Sequence, residues 1–403
     1  MPIIAQQLQI GTDVRFGAAG AELLRASTHG AAPMITLLLK LLLLYAAYTA
    51  VDFLFYNDLD ALNYAMAKLS FYAVGSGLLP HFLTMAPREG ADFDHTSLGA
   101  AAAAELAKVR SMYNMQGSLS PNTATRVQRI TTLTAEGNVT VRLYIPFGIK
   151  EGGDDLRPIV FWLHGGGWVL GGLGADNLKC MGIANSTRAL VVSVDYRLAP
   201  ENPFPAPVVD VIAAFHWMLA FDMTRYGGDV DRVVVAGESA GGTLAAALAS
   251  SHYSSPAPRR NIVGLVLIYP PLVHGVHMDS HFRYRSTNGM LTLYQMLWFW
   301  KLYLPDPAVC LTDRLACPLN TPREVLAAFP ATLVMQAKHD VLLDEGVALH
   351  QKLLAAGACS ELKIFNRSVH GFFSNPAGSD SAEAMQLLAG HVRRVGYGGQ
   401  CAA

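Results

Sequence analysis

One stretch decides the fold of this chain: RVVVAGESAGG, residues 232–242. Its β-branched first half favours a strand, and the alanine-rich run that follows it, residues 243–250, favours a helix. Glycines on both sides of Ser239 allow a sharp turn between the two elements. Such a turn exposes the serine hydroxyl at the end of the strand, near the positive end of the helix. Ser239 is therefore the candidate nucleophile.

Other short apolar runs surround this one and alternate with helical stretches. The predicted strands lie at residues 126–134, 139–145, 159–163, 189–194, 232–236, 262–269, 332–336 and 362–365. The first two predict a hairpin, and the later alternation predicts a mostly parallel sheet with helices on both faces. The alternation stops between Pro271 and Pro330. An aromatic run within that interval, residues 292–304, predicts a helix that we interpret as a lid element.

A glycine loop, HGGGW at residues 164–168, follows the predicted strand 159–163. Glycine amides are open to a ligand, and acyl transfer needs amide donors aimed at the oxygen that becomes negative. We expect the amides of Gly165 and Gly166, together with that of Ala240, to form such an oxyanion hole. His164 is expected to shape the loop rather than to act as a base.

A serine hydroxyl needs a base to take its proton, and two residues at strand ends fit this chemistry. Asp340 follows the predicted strand 332–336, and His370 follows the strand 362–365. Carboxyl ends of parallel strands meet at one edge of a sheet, where such folds place their sites. We expect His370 to take the Ser239 proton and Asp340 to orient the imidazole. Asp344 is the rival acid, although it is expected to start the following helix.

These motifs resemble the hormone-sensitive-lipase group of α/β-hydrolases, which includes the arylacetamide deacetylase-like enzymes. The segments that carry the resemblance are HGGG at 164–167, DYRLAPE at 195–201 with FPA at 204–206, GESAGG at 237–242, DVLLDEG at 340–346 and HGF at 370–372. The resemblance covers the chain from about residue 126 to the C-terminus. The group often has aspartate at the position of Glu238, a departure that we expect to leave the catalytic roles unchanged.

The resemblance implies an α/β-hydrolase fold: a mostly parallel eight-stranded sheet with helices on both faces and a helical cap. The implied catalytic domain spans residues 121–403, with a cap insert at about 272–329. Residues 1–120 are then an apolar N-terminal segment with cap helices. Nothing more specific is implied for this N-terminal part.

The implied activity is that of a serine carboxylesterase or lipase that needs neither a cofactor nor a metal. Its substrate would be a small-molecule ester or lipid with a hydrophobic acyl or aryl group. An aryl-amide deacetylase or amidase with the same triad is one alternative. A non-catalytic binding protein is another, because the plant gibberellin receptors resemble this group but lack the catalytic histidine, which is present here as His370.

An apolar run at residues 34–56 is long enough to cross a bilayer, since about 20 apolar residues suffice. Lys40 and Asp52 lie towards its two ends and on different helical faces. Arg15 and Arg25 precede it, so the positive-inside rule places the N-terminus in the cytosol. The expected arrangement is a membrane anchor with the catalytic domain in the lumen of the endoplasmic reticulum. The alternative is a cap helix packed over the active site of a cytoplasmic protein.

Charge and cysteine content limit the kinds of partner and of cysteine site that the sequence allows. The net charge of −1 and the lack of a long basic run argue against a nucleic-acid partner. The five cysteines, at positions 180, 310, 317, 359 and 401, do not have zinc spacing. We expect free, mostly buried thiols, with a disulfide between Cys310 and Cys317 as the alternative.

Overall fold

The computed structural model describes residues 106–111, 113–114, 127–134, 139–149, 153, 155–256, 260–285, 291–375 and 378–399, with only the backbone of 127–134. Eight strands form one sheet in this part of the chain. They are β1 (Val127–Thr134), β2 (Thr140–Pro146), β3 (Arg157–Leu163), β4 (Leu190–Asp195), β5 (Gly228–Glu238), β6 (Ile262–Ile268), β7 (Ala331–His339) and β8 (Ser360–Val369).

The strand order is β1-β2-β4-β3-β5-β6-β7-β8. The hairpin of β1 and β2 is antiparallel, and β2 also pairs antiparallel with β4. All pairings from β4 to β8 are parallel. The prediction of a mostly parallel, eight-stranded sheet is confirmed.

Helices follow most of the strands. They are α1 (Asn177–Thr187), α2 (Ala206–Ala220), α3 (Ala240–Tyr253), α4 (Asp279–Arg283), α5 (Leu293–Tyr303), α6 (Val309–Thr312), α7 (Arg323–Leu326), α8 (Leu343–Ala356) and α9 (Ser379–Gly396). Residues 106–111 are also helical.

Two apolar layers enclose the sheet, because neighbouring side chains of a strand point to opposite faces. In β3, Ile159 and Phe161 belong to one layer, whereas Val160 and Trp162 belong to the other. The first layer is completed by α2, α3 and α8. The second is completed by α1 and α9. The central strands are thus buried on both sides, which explains their continuous apolar runs.

Strand β8 is longer than the sequence predicted, since it runs over ten residues rather than 362–365 alone. Its additional residues include charged side chains, which an apolar pattern does not identify as strand. Glu361 forms an ion pair with Arg394 of α9, and Lys363 forms one with Glu383 of the same helix. The helix therefore supplies partners for charges that would otherwise disfavour this strand.

The segment between β6 and β7 contains α4 to α7. The predicted aromatic helix 292–304 is confirmed as α5, and it begins at a capping box in which Thr292 accepts a hydrogen bond from the amide of Gln295 at 3.2 Å. Cys310 and Cys317 form a disulfide in this segment. Cys359 is also disulfide-bonded, whereas Cys180 is a buried free thiol. The expectation of free thiols is correct for Cys180 and wrong for the other three.

Among the residues described above, no helix is long and apolar enough to cross a membrane. The apolar run 34–56, which carries the prediction of a membrane anchor, lies outside them.

Candidate active site

Ser239 lies in the turn between β5 and α3. Its backbone has φ 51° and ψ −126°, which is unusual for a residue with a side chain, and its amide donates to the Ile268 carbonyl at 2.8 Å. The following turn passes directly over β3: a Cβ at Gly241 would lie 2.1 Å from the carbonyl oxygen of Leu163. Glycine at this position lets helix and strand approach, and the approach holds the serine in its strained conformation.

The structure brings the three predicted triad residues together. Ser239 Oγ is 2.9 Å from Nε2 of His370, and Nδ1 of His370 is 2.7 Å from Oδ2 of Asp340. Asp340 is 1% exposed, and its other oxygen accepts the Leu342 amide at 3.0 Å. The three residues follow β5, β7 and β8, whose carboxyl ends share one edge of the sheet. The arrangement can relay a proton away from the serine hydroxyl.

Asp344, the alternative candidate for the acid of the triad, lies apart from His370. It lies in the first turn of α8, as expected, and its Oδ2 accepts the amide of Ser280 at 2.8 Å. The carboxylate against the imidazole of His370 is that of Asp340.

The glycine loop forms a tight turn beside Ser239. Gly166 has φ 113°, and its carbonyl accepts the amides of Val169 and Leu170 at 3.1 and 2.8 Å. His164 lies under this loop: its Nδ1 is 2.8 Å from the Gly165 carbonyl, and its ring stacks on Tyr196 at 4.2 Å. These contacts give His164 a role in the shape of the loop. Ala240 is fully buried at the start of α3.

Two elements outside the sheet lie beside the glycine loop. In α5, Phe299 lies so close that a Cβ at Gly167 would be 2.3 Å from its ring. From residues 106–111, Arg110 donates to the carbonyls of Val169 and Ala199 at 2.8 and 2.7 Å, and it forms an ion pair with Glu201. Sequence reasoning missed Arg110, because its partners are 59 to 91 residues away and no motif surrounds it.

An aromatic cluster forms the inner side of α5. The ring of Trp168 stacks on Tyr303 at 4.2 Å and lies 4.6 Å from Trp300, with all three side chains buried. The cluster joins Trp168, at the end of the glycine loop, to the aromatic helix α5.

A charged cluster that the sequence did not predict lies beneath the loop. The Lys179 ammonium contacts Oδ1 of Asp176 at 2.9 Å and Oε1 of Glu238, and both carboxylates are buried. Burial alone would lower the pKa of Lys179, but the two carboxylates outweigh burial and raise this pKa above its ordinary value. The sequence signal for this cluster is Lys179 itself, because helix α1 has no other charged residue.

A second buried contact that the sequence did not predict lies near the start of α8. His281 Nε2 is 3.0 Å from Oε1 of Glu345, with both side chains fully buried, and Glu345 also accepts the amide of Val273 at 3.0 Å. Burial raises the pKa of Glu345. The pair joins α4 to α8, the helix that begins just after Asp340. Within the described ranges, no cluster of three or more His, Cys, Asp or Glu side chains is arranged to hold a metal.

Comparison with known families and proteins agrees with this geometry. Residues 160–374 match the family model for the alpha/beta hydrolase fold. The chain is similar to carboxylesterase NlhH of Mycobacterium tuberculosis, with 34% identity over 235 residues, 58% of this chain and 71% of the relative. It is also similar to arylacetamide deacetylase of Oryctolagus cuniculus, with 30% identity over 300 residues, 60% and 74% of the two chains.

Solved structures show the same similarity. An esterase of Pyrobaculum calidifontis has a TM-score of 0.65 at 31% identity and covers 72% of this chain and 93% of its own. Esterase LipW of Mycobacterium marinum has a TM-score of 0.64 at 31% identity and covers 73% and 91%. The fold predicted from the motifs is confirmed, and these relatives support a hydrolase of the esterase kind.

Proposed function

Because this chain belongs to the alpha/beta hydrolase family, within its hormone-sensitive-lipase-like group, we propose that it is a serine esterase or lipase. Its reaction is the hydrolysis of carboxylic esters with hydrophobic acyl or aryl groups. One observation carries the proposal: the continuous hydrogen-bond relay Ser239–His370–Asp340, with distances of 2.9 and 2.7 Å.

The proposed reaction proceeds in two halves. His370 takes the Ser239 proton while Oγ attacks the ester carbonyl, and the amides of Gly165, Gly166 and Ala240 bind the oxyanion. His370 then gives its proton to the leaving alcohol, which leaves an acyl group on Ser239. Water activated by the same imidazole releases the acid. Asp340 keeps the imidazole oriented and stabilises its charged form in both halves.

An aromatic ring against the glycine loop supports a hydrophobic substrate. Phe299 is partly exposed, and its ring lies against Gly167 of the glycine loop. Apolar surface at a site favours ligands that leave water through the hydrophobic effect.

The test is Ser239→Ala, assayed on a nitrophenyl ester. We expect kcat to fall by about 10³-fold or more, because the nucleophile is absent, and we expect labelling by a fluorophosphonate probe to disappear. Ser251→Ala, on the same helix, is the matched control and should keep both. Wild-type turnover by a folded Ser239→Ala protein would refute the proposal.

Aryl-amide hydrolysis is the second candidate, and the similarity to an arylacetamide deacetylase favours it. The same triad would perform it, with an amine as the leaving group that His370 protonates. Turnover of a matched ester and amide that share one acyl group separates the candidates. Faster cleavage of the amide would reassign the activity.

We further propose that residues 34–56 anchor the protein in a membrane, with 121–403 as the catalytic domain, its cap insert at about 272–329, and 1–120 as the N-terminal part. The length of the apolar run and the basic residues before it support the anchor. Alkaline carbonate extraction of membranes, with a glycosidase shift assay for lumenal exposure, tests it. An anchored protein stays in the pellet, and release into the soluble fraction would refute the anchor.

A further inference from the structure

We infer that Glu238, the residue before the nucleophile, is a positioning residue that holds the His370 segment and the glycine loop in place around Ser239, with Lys179 balancing its charge. The inference deepens the proposed function and rests on hydrolysis through Ser239. The sequence predicts only that glutamate at 238, where the group often has aspartate, leaves the catalytic roles unchanged. The contacts of Glu238 assign it a larger role.

On one side, Glu238 reaches the segment that carries the base. Its Oε2 accepts the hydroxyl of Tyr269 at 2.9 Å, and the Tyr269 ring lies against the imidazole of His370 with 4.6 Å between ring centroids. Ser374, four residues after His370, donates to the same carboxylate at 3.2 Å. Glu238 therefore supports His370 through the adjacent ring of Tyr269 and through the turn that follows His370.

On the other side, Glu238 supports the glycine loop. A Cβ at Gly165 would lie 3.2 Å from Cγ of Glu238, so the loop rests directly on this side chain. Lys179 lies in α1, which follows the loop, and its ammonium joins the Glu238 carboxylate. One carboxylate thus connects the nucleophile turn, the base and the loop of proposed oxyanion donors.

The charges of Glu238, Lys179 and Asp176 are paired with one another. A side chain that only fills space would not need such pairing. A buried carboxylate is costly unless it is paired and hydrogen-bonded. Glu238 has an ammonium and two hydroxyl partners, and Lys179 has a second carboxylate in Asp176, which also accepts the Trp162 indole N–H at 2.6 Å. Because Asp176 remains, removing the charge of Glu238 leaves Lys179 paired, and the variant should fold.

The test compares Glu238→Gln and Tyr269→Phe with the wild type on one nitrophenyl ester. Tyr269→Phe keeps the ring on His370 and removes only its hydrogen bond to Glu238. A small misplacement of catalytic groups costs up to about 10²-fold in rate. We expect kcat to fall by about 10²-fold for Glu238→Gln and about 10-fold for Tyr269→Phe, with KM nearly unchanged because substrate contacts remain. Glu238→Asp, which keeps the charge, should retain more kcat than Glu238→Gln.

Asp210→Asn is the control for a merely structural carboxylate. Asp210 is buried and bound by Arg197 at 2.7 Å, and we expect its loss to lower the melting temperature and leave kcat unchanged. Glu238 and Tyr269 variants that behave in the same way would overturn the inference while the wild type remains an active esterase. An inactive wild type would refute the proposed function itself, and the inference with it.

Discussion

Ser239 has a conformation that costs free energy in isolation, and its neighbours maintain it. A φ of 51° with ψ −126° is sparsely populated by residues with a Cβ, at a cost on the order of 1–3 kcal/mol. The amide bond to Ile268 and the close approach of Gly241 to β3 hold the turn. The strained turn places Oγ 2.9 Å from Nε2 of His370. The nucleophile is therefore preorganised, at the cost of the strain.

Gly166 holds the glycine loop in a conformation that a side chain would disfavour. Its φ of 113° disfavours any side chain, and a Cβ there would lie 2.3 Å from the Leu170 carbonyl oxygen. We expect Gly166→Ala to displace the amides of the loop and to lower kcat/KM for an ester by about 10²-fold, the usual effect of losing one oxyanion donor. Steady-state kinetics on a nitrophenyl ester measures the loss.

Gly148→Ala is the matched control for Gly166→Ala. Gly148 has φ 90°, but its Cβ would meet nothing within 4 Å, so this variant introduces backbone strain without a collision. It should be destabilised and remain fully active. Equal activity of the two variants would show that the loop does not require glycine at 166.

Single residues differ in how far the sequence predicts them. Ser239, His370 and Asp340 each follow a recognisable strand, so their type and position identified them as candidates. Lys179, Tyr269 and Arg110 belong to no chemical motif, and they bind the carboxylates of Glu238 and Glu201 from 31 to 91 residues away. Hydrogen bonds at such separations depend on the folded backbone, which no local pattern reports.

At the scale of elements, α9 packs on the sheet through a buried histidine. His391 is 2% exposed, its Nε2 donates to the Ala331 carbonyl at 3.1 Å, and Arg394 donates to its Nδ1 at 3.1 Å. Burial, with the Arg394 charge as a second cause, lowers the pKa of His391 from 6.5 to about 4. The imidazole is therefore neutral when α9 is docked.

This gives the stability of the fold a pH dependence. Between pH 6.5 and about 4 the unfolded chain binds a proton that the folded chain does not, so the free energy of unfolding falls on acidification. A shift of this size corresponds to about 3 kcal/mol. We expect His391→Gln, which keeps a donor for Ala331, to reduce the difference in urea stability between pH 7 and pH 5.

His216, exposed on α2, is the control for this measurement. His216→Gln should leave the pH dependence of urea unfolding as it is in the wild type. If His391→Gln unfolds with the wild-type pH dependence, then the histidine is not held neutral against the sheet.

Elements were predictable where one apolar pattern ran through them. β3, β6 and α5 have continuous or clearly capped runs, and their positions agree with the sequence. β8 was predicted at less than half its length, and one of the residues left out is Glu361, whose ion-pair partner Arg394 lies on α9. Secondary structure that relies on tertiary partners is not visible in local propensity.

For the whole molecule, the two apolar layers decide how the strands are ordered. A strand whose side chains alternate between the two layers is buried on both faces only in the centre of the sheet. β3 and β5 lie there side by side. The chain order of β3 and β4 is reversed in the sheet. This reversal brings the end of β3, with its glycine loop, next to the end of β5, with Ser239.

The segment RVVVAGESAGG and the alanine-rich run after it determined a strand, a turn that contains the serine, and a helix, because propensity and glycine chemistry act over a few residues. The strand-end positions of Asp340 and His370 followed in the same way. The hydrogen bonds of the triad, the Glu238 cluster and the contacts of Arg110 with Val169 and Ala199 required the folded chain. They join groups far apart in sequence, and their distances are set by the packing of the sheet and its two layers.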